Sequence, residues 1–255
     1  MTTWAIVISG IVIGLTLIAL VVLSRRGRVD ESRGEGNLDF ALNLALAVYL
    51  LILAYGVVLG RDGIEAARQD VATEAESLVE LYWAVAPLQN NAEIKNEIRS
   101  YTTQSIQQDW PLMQGGQVSE EAGNTLESFR ANLLRLRPAN EADESLRQDA
   151  LVRASEVSHA RQLRASNTGG TIPDVFMTCM VISGIAVIAF PWLLGYRPNL
   201  ASVVGDTTRV AVVLVGLVVL AVVSNPFSGA AAVDSEPFEL AREQFNAIDQ
   251  RFSGA

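Results

Sequence analysis

The apolar positions follow two patterns. Near the ends of the chain they form long unbroken runs, and in the middle they recur every three or four residues among charges. The first run, Trp4 to Leu23, carries no charge. At 1.5 Å per residue it is about 30 Å long, the thickness of a bilayer core. Its uncharged start, its length and the Arg25-Arg26-Gly27-Arg28 behind it favour an uncleaved span over a signal peptide. The second run, Leu38 to Gly60, has Asn37 or Asp39 as cap and Asn43, Tyr49 and Tyr55 as its polar interruptions. A mid-span Tyr or Asn is expected to face protein, which makes Asn43 and Tyr49 the candidate pore-lining residues. The third run, Val175 to Gly195, follows Ile172-Pro173-Asp174, with Pro in the first turn and Asp at the positive end. The fourth, Val210 to Val223, extends back to Leu200 through Asp206 and Arg209, three apart on one helix face. Backbone groups in lipid must be satisfied within the segment, so all four should be helices. The short Tyr196-Arg197-Pro198-Asn199 link makes the last two an antiparallel hairpin.

Between the pairs of spans the period is that of amphipathic helices. The second span runs without a breaker into Val71, Ala75, Leu78, Leu81, Tyr82 and Val85, so one rod is expected down to Pro87. Glu74, Glu76 and Glu80 are assigned to its solvated side. A second helix, Ala92 to Gln108, should end at Asp109-Trp110-Pro111, because the residue before Pro disfavours helical geometry. A third starts at a Ser119 cap and shows Leu126, Phe129, Leu133, Leu134 and Leu136 as its apolar face. A fourth runs from Asn140 or Glu141 to about Ala165. The fold class is therefore all-α: four transmembrane helices, with a helical soluble domain inserted between the second and third spans. The divisions are 1–60, 61–171, 172–224 and 225–255, the last a post-membrane segment with a tail helix from Glu236 to Phe252.

Composition narrows the function. Of 255 residues 50% are hydrophobic, and with a net charge of −9 nothing points to a nucleic-acid partner, so none is expected. The lone Cys179 allows no internal disulfide, and the lone His159 is a plain histidine, not a metal site. No nucleophile elbow, phosphate loop or metal spacing occurs, and the carboxylates are assigned to solvated helix faces, so no enzyme, cofactor or metal is expected. The Arg25–Gly36 loop and Arg197 would face the cytoplasm by the positive-inside rule, but Arg61, Arg68, Arg161 and Arg164 flank the opposite span ends. The two sets nearly balance, and orientation stays open.

The last run stops on Asn225-Pro226-Phe227-Ser228-Gly229, and Glu236-Pro237-Phe238-Glu239 follows. Asn225 and Gly229 can end a helix, Pro226 forbids its continuation, and Phe227 and Phe238 are apolar anchors flanking a small-residue link. Such a segment can dock on its own soluble domain or on a neighbouring subunit. Together with Asp109-Trp110-Pro111 and Ile172-Pro173, these pieces resemble the bestrophin-like integral membrane family of bacteria. The resemblance implies a multi-pass inner (plasma) membrane protein, distantly similar to the bestrophins, which are pentameric anion channels. It implies the lipid bilayer, further copies of the chain and ions such as chloride as partners. Calcium does not carry over: Ala230-Ala231-Ala232 stand where the channels have an acidic cluster, and Asp234 and Glu236 cannot supply the required oxygens. The alternative is a membrane-anchored helical sensor or interaction protein without conduction. An ion-coupled transporter is disfavoured, since the span centres carry no charge. In lysed cells the chain should sediment with membranes at high speed and leave them only in detergent; recovery in the detergent-free supernatant would refute the spans.

Overall fold

The computed structural model describes residues 31–193, 200–229 and 231–253. The run 4–23 and the 196–199 link lie outside them. Among the described residues the chain is helical and without strands: α1 (Glu31–Val85), α2 (Ala92–Gln104), a π turn (Ser105–Asp109), α3 (Trp110–Met113), α4 (Glu120–Arg135), α5 (Glu141–Ser166), α6 (Asp174–Leu193), α7 (Leu200–Val223) and α8 (Glu236–Ser253). Three stretches there are apolar and long enough to cross a membrane, within Leu42–Val85, Glu141–Ala189 and Val204–Val223. The first of the four expected spans lies outside the description. The chain divides into two units, one of residues up to Leu59 with Ile172–Ala221, the other of Gly60–Thr171 with Val222–Ala255.

In the first unit, side chains of one helix pack closely onto glycines of the next. Tyr49 of α1 is fully buried, and its hydroxyl donates to the Val213 carbonyl of α7 at 3.0 Å. A Cβ on Gly216 would lie 2.7 Å from Leu53 Cδ2 and 2.9 Å from Tyr49 Oη. One on Gly56 would lie 2.6 Å from Phe176 of α6 and 2.7 Å from Leu220 of α7. Residues 49, 53 and 56 thus meet 213, 216 and 220 in step, and α1 and α7 run parallel here. Small residues give such contacts in membrane helices, where packing rather than water drives association. The outward side chains are apolar: Leu51 is 72% exposed, Ile182 61% and Val218 62%.

The second unit has an ordinary apolar core. The inner stripe of α1 (Val71, Ala75, Leu78, Leu81, Tyr82, Val85) meets α2, α4, α5 and α8 through Ile94, Ile98, Phe129, Val157, Phe238 and Phe245. The caps are local. Ser119 Oγ accepts from the Ala122 N–H, Asn140 Oδ1 accepts from the Asp143 N–H, and α1 ends before Pro87.

Three local expectations are corrected. Asn37 and Asp39 do not cap α1, which is already helical at Glu31. Trp110 is helical (φ −57°, ψ −49°), because a π turn precedes it and its N–H reaches back to the Ser105 carbonyl. That wider turn makes room for the ring of Pro111, which an α turn would press against a carbonyl. Leu134 is 66% exposed, as it lies beyond the Leu126–Phe129–Leu133 stripe.

Gly216→Val should overpack the Tyr49 slot and destabilise by about 1–3 kcal/mol, whereas Tyr49→Phe should cost only about 1 kcal/mol. Thermal melts in detergent would show this order; a neutral Gly216→Val would contradict the slot.

Candidate functional site

The segment after α7 folds onto its own unit. The Phe227 N–H donates to Asn225 Oδ1 at 2.9 Å, and Asn225 Nδ2 donates to the Gln114 carbonyl at 3.1 Å. Pro226 and Phe227 are buried, and Ser228 is half-buried. Gly229 is exposed at φ +82°, left-handed backbone that a side chain would strain. The chain then turns back, with the Val233 N–H on the Pro226 carbonyl at 2.8 Å. Trp110 Nε1 donates to the Val233 carbonyl at 3.1 Å, and the Trp110 ring meets the Phe238 ring edge-on at 5.1 Å. Pro237 stands in the first turn of α8, where its missing N–H leaves no bond unmade. Phe238, Phe245 and Ile248 then bury along α8, Phe245 stacking on Tyr82 at 4.4 Å.

Beneath Phe238 lies a charge cluster that the sequence pattern misassigned. Glu74, assigned to the solvated side of α1, is fully buried, while Glu76 and Glu80 are exposed as expected. Arg164 of α5, also fully buried, donates from Nε to Glu74 Oε2 at 2.6 Å and from Nη2 to Glu74 Oε1 at 3.1 Å. The same Nη2 donates to Asp109 Oδ2 at 2.8 Å. Arg161 donates to Asp109 Oδ2 at 2.6 Å and to the Ser119 carbonyl at 2.8 Å. The Ser119 N–H donates to Asp109 Oδ1 at 2.7 Å, and the Tyr101 hydroxyl donates to Glu74. The Arg164 guanidinium lies 5.3 Å from the centroids of both the Trp110 and the Phe238 rings. Arg161 and Arg164 therefore neutralise buried carboxylates and are not flanking charges of a span.

Burial alone would raise the Asp109 pKa, but the charges of Arg164 and Arg161 outweigh it and hold the carboxyl below its ordinary value. Burial, then the charge of Glu74, raises the Tyr101 phenol. At the far end of α8, Asp249 accepts from the Tyr82 hydroxyl at 2.8 Å and from Arg99 at 2.7 Å, and pairs with Lys95. Burial and the bond to Asp249 push Tyr82 up to about 12.

The two candidate pore residues sit differently. Asn43 is exposed on α1 near Phe40 and Leu44, and Tyr49 is turned in to α7. His159 is exposed, and among the described residues no three His, Cys, Asp or Glu side chains gather as metal ligands.

Apolar helices that face outward, with a folded-back segment sealing an ionic core, define an all-helical membrane protein. The sequence pattern of the bestrophin-like domain matches residues 10–238, so the match includes the post-α7 motif through Phe238. The chain belongs to the bestrophin-like family. A bacterial bestrophin homolog from Klebsiella pneumoniae, solved as a point variant, has a similar fold, with a TM-score of 0.59, 12% identity, and coverage of 97% of this chain and 99% of that one. No curated protein matches.

Removing the Asp109 charge leaves Arg161 without a carboxylate partner and takes the second one from Arg164. Asp109→Asn should destabilise by about 3–5 kcal/mol in denaturant melts. Because the folded-state pKa is lowered, the stabilisation from Asp109 is present above the ordinary carboxylate pKa and is lost as pH falls through the folded value. The melting temperature should therefore drop between about pH 4 and the acid limit, and less so in the variant; an equal acid response in both would contradict the assignment.

Proposed function

We propose that the chain is a homo-oligomeric ion channel conducting anions such as chloride, multi-pass in the inner (plasma) membrane. Membership of the bestrophin-like family supports the class, and the pentamer follows by resemblance. The observation that carries the reading is the uncovered apolar surface of α1, where Phe40 is 69% exposed, Leu51 72% and Tyr55 59%. Such side chains need lipid or another copy of the chain beside them. Asn43 stands on this helix as the polar candidate for the pore lining, and Tyr49 holds α1 against α7. An apolar lining elsewhere is compatible with conduction, since hydrophobic constrictions gate by dewetting. The Asn225–Gly229 motif with Pro237 and Phe238 returns the chain from α7 to the helical unit. No catalytic role is assigned to any residue.

Purified protein in a planar bilayer under a chloride gradient should pass current reversing near the chloride equilibrium potential. Silent membranes with verified incorporation would remove conduction and leave the membrane-anchored interaction protein.

A further inference from the structure

We propose that Arg164 is a positioning residue that couples the post-α7 segment to helix α1, so that the seating of Phe238 and the pairing of Glu74 stand or fall together. Its guanidinium bonds Glu74 on one edge and lies against the Phe238 and Trp110 rings. Arg164, Glu74, Asp109 and Phe238 are all fully buried. A guanidinium so enclosed is tolerated only where its donors are filled and water is kept out. Phe238 is one wall of that enclosure, and a cation against an aromatic face gains more when desolvated. Loosening the tail therefore admits water to the Glu74–Arg164 pair. Loss of the Glu74 charge frees the guanidinium to seek another partner, which withdraws it from the Phe238 ring. Such a coupling is reciprocal, each event shifting the other by the same factor. It does not depend on conduction, so a silent bilayer leaves it intact.

Hydrogen exchange on the full chain in detergent tests it. Glu74→Gln should speed exchange of residues 236–248 by about tenfold. Phe238→Ala should speed exchange of residues 71–78 of α1 by a similar factor, with residues 141–150 of α5 unchanged in both. Phe238→Leu keeps an apolar side chain without a ring and should also loosen residues 71–78. Unaltered tail exchange in Glu74→Gln overturns the coupling, and so does equal acceleration of residues 141–150, the mark of general destabilisation. Wild-type exchange in Phe238→Leu overturns the role of the ring. Should Glu74→Gln fail to fold, the Phe238→Ala arm decides alone, because reciprocity requires the same effect there.

Discussion

The helical unit depends on one constraint: two buried guanidiniums must be neutralised in place. Arg161 and Arg164 stand three apart on α5, and their partners come from elsewhere, Glu74 from α1 and Asp109 from the π turn. A buried ion pair gives little net stability compared with well-packed apolar groups, but half of one is severely destabilising. The cluster therefore acts chiefly by exclusion. Any packing of α1, the π turn and α5 that misaligns one member strands a charge. The hydrogen bonds are filled accordingly: Glu74 also receives the Tyr101 hydroxyl, and Asp109 also receives the Ser119 N–H, which ties the start of α4 to the same point.

That constraint explains the motif after α7. A helix stop alone needs only Asn or Gly, but the chain here must turn back and deliver an aromatic ring to the cluster. Asn225 accepts the Phe227 N–H, Gly229 takes the left-handed turn, and Pro226 receives the Val233 N–H. Val233 is then held by Trp110, and Phe238 arrives beside both that ring and Arg164. The π turn serves the same end. It keeps Trp110 and Pro111 helical, with Asp109 and Trp110 presented together to the core.

Local signals in the sequence were reliable where the physics is local. The Ser119 cap, the start of α5 at Glu141, the end of α1 before Pro87 and the Asp206–Arg209 pair at 2.9 Å all follow from neighbours in the chain. The charge cluster is not legible from the period alone, because a single acid reads by default as solvated. Yet Glu74 lies on the stripe of Val71, Ala75 and Leu78, where a solvated side chain does not belong, and Arg161 and Arg164 continue the stripe of Ala154, Val157 and Ala160. Charges on two apolar stripes, in opposite sign, were the available signal. Gly56 and Gly60, four apart, likewise mark the face of α1 onto which Phe176, Leu220 and Val223 pack. What no pattern contains is which carboxylate meets which guanidinium, since the Glu74–Arg164 separation of 90 residues is bridged only by the fold.

The two units are solvated in opposite senses. In the helical unit charge is inside and paired, and its outer helix faces carry Glu76, Glu80 and Glu243 in the open. In the other unit a buried polar contact is the Tyr49 hydroxyl on a carbonyl, and the outer faces carry Phe40, Leu51, Ile182, Ile185 and Val215. Water would penalise the second arrangement at every exposed side chain, at roughly 25 cal/mol per Å² of apolar surface. Lipid removes that penalty, and it also accounts for the close packing of side chains onto Gly56 and Gly216. Without a hydrophobic force between the helices, contact itself must hold them. The same chain thus obeys two packing rules, and α1 (Glu31–Val85) runs unbroken from residues under one rule to residues under the other.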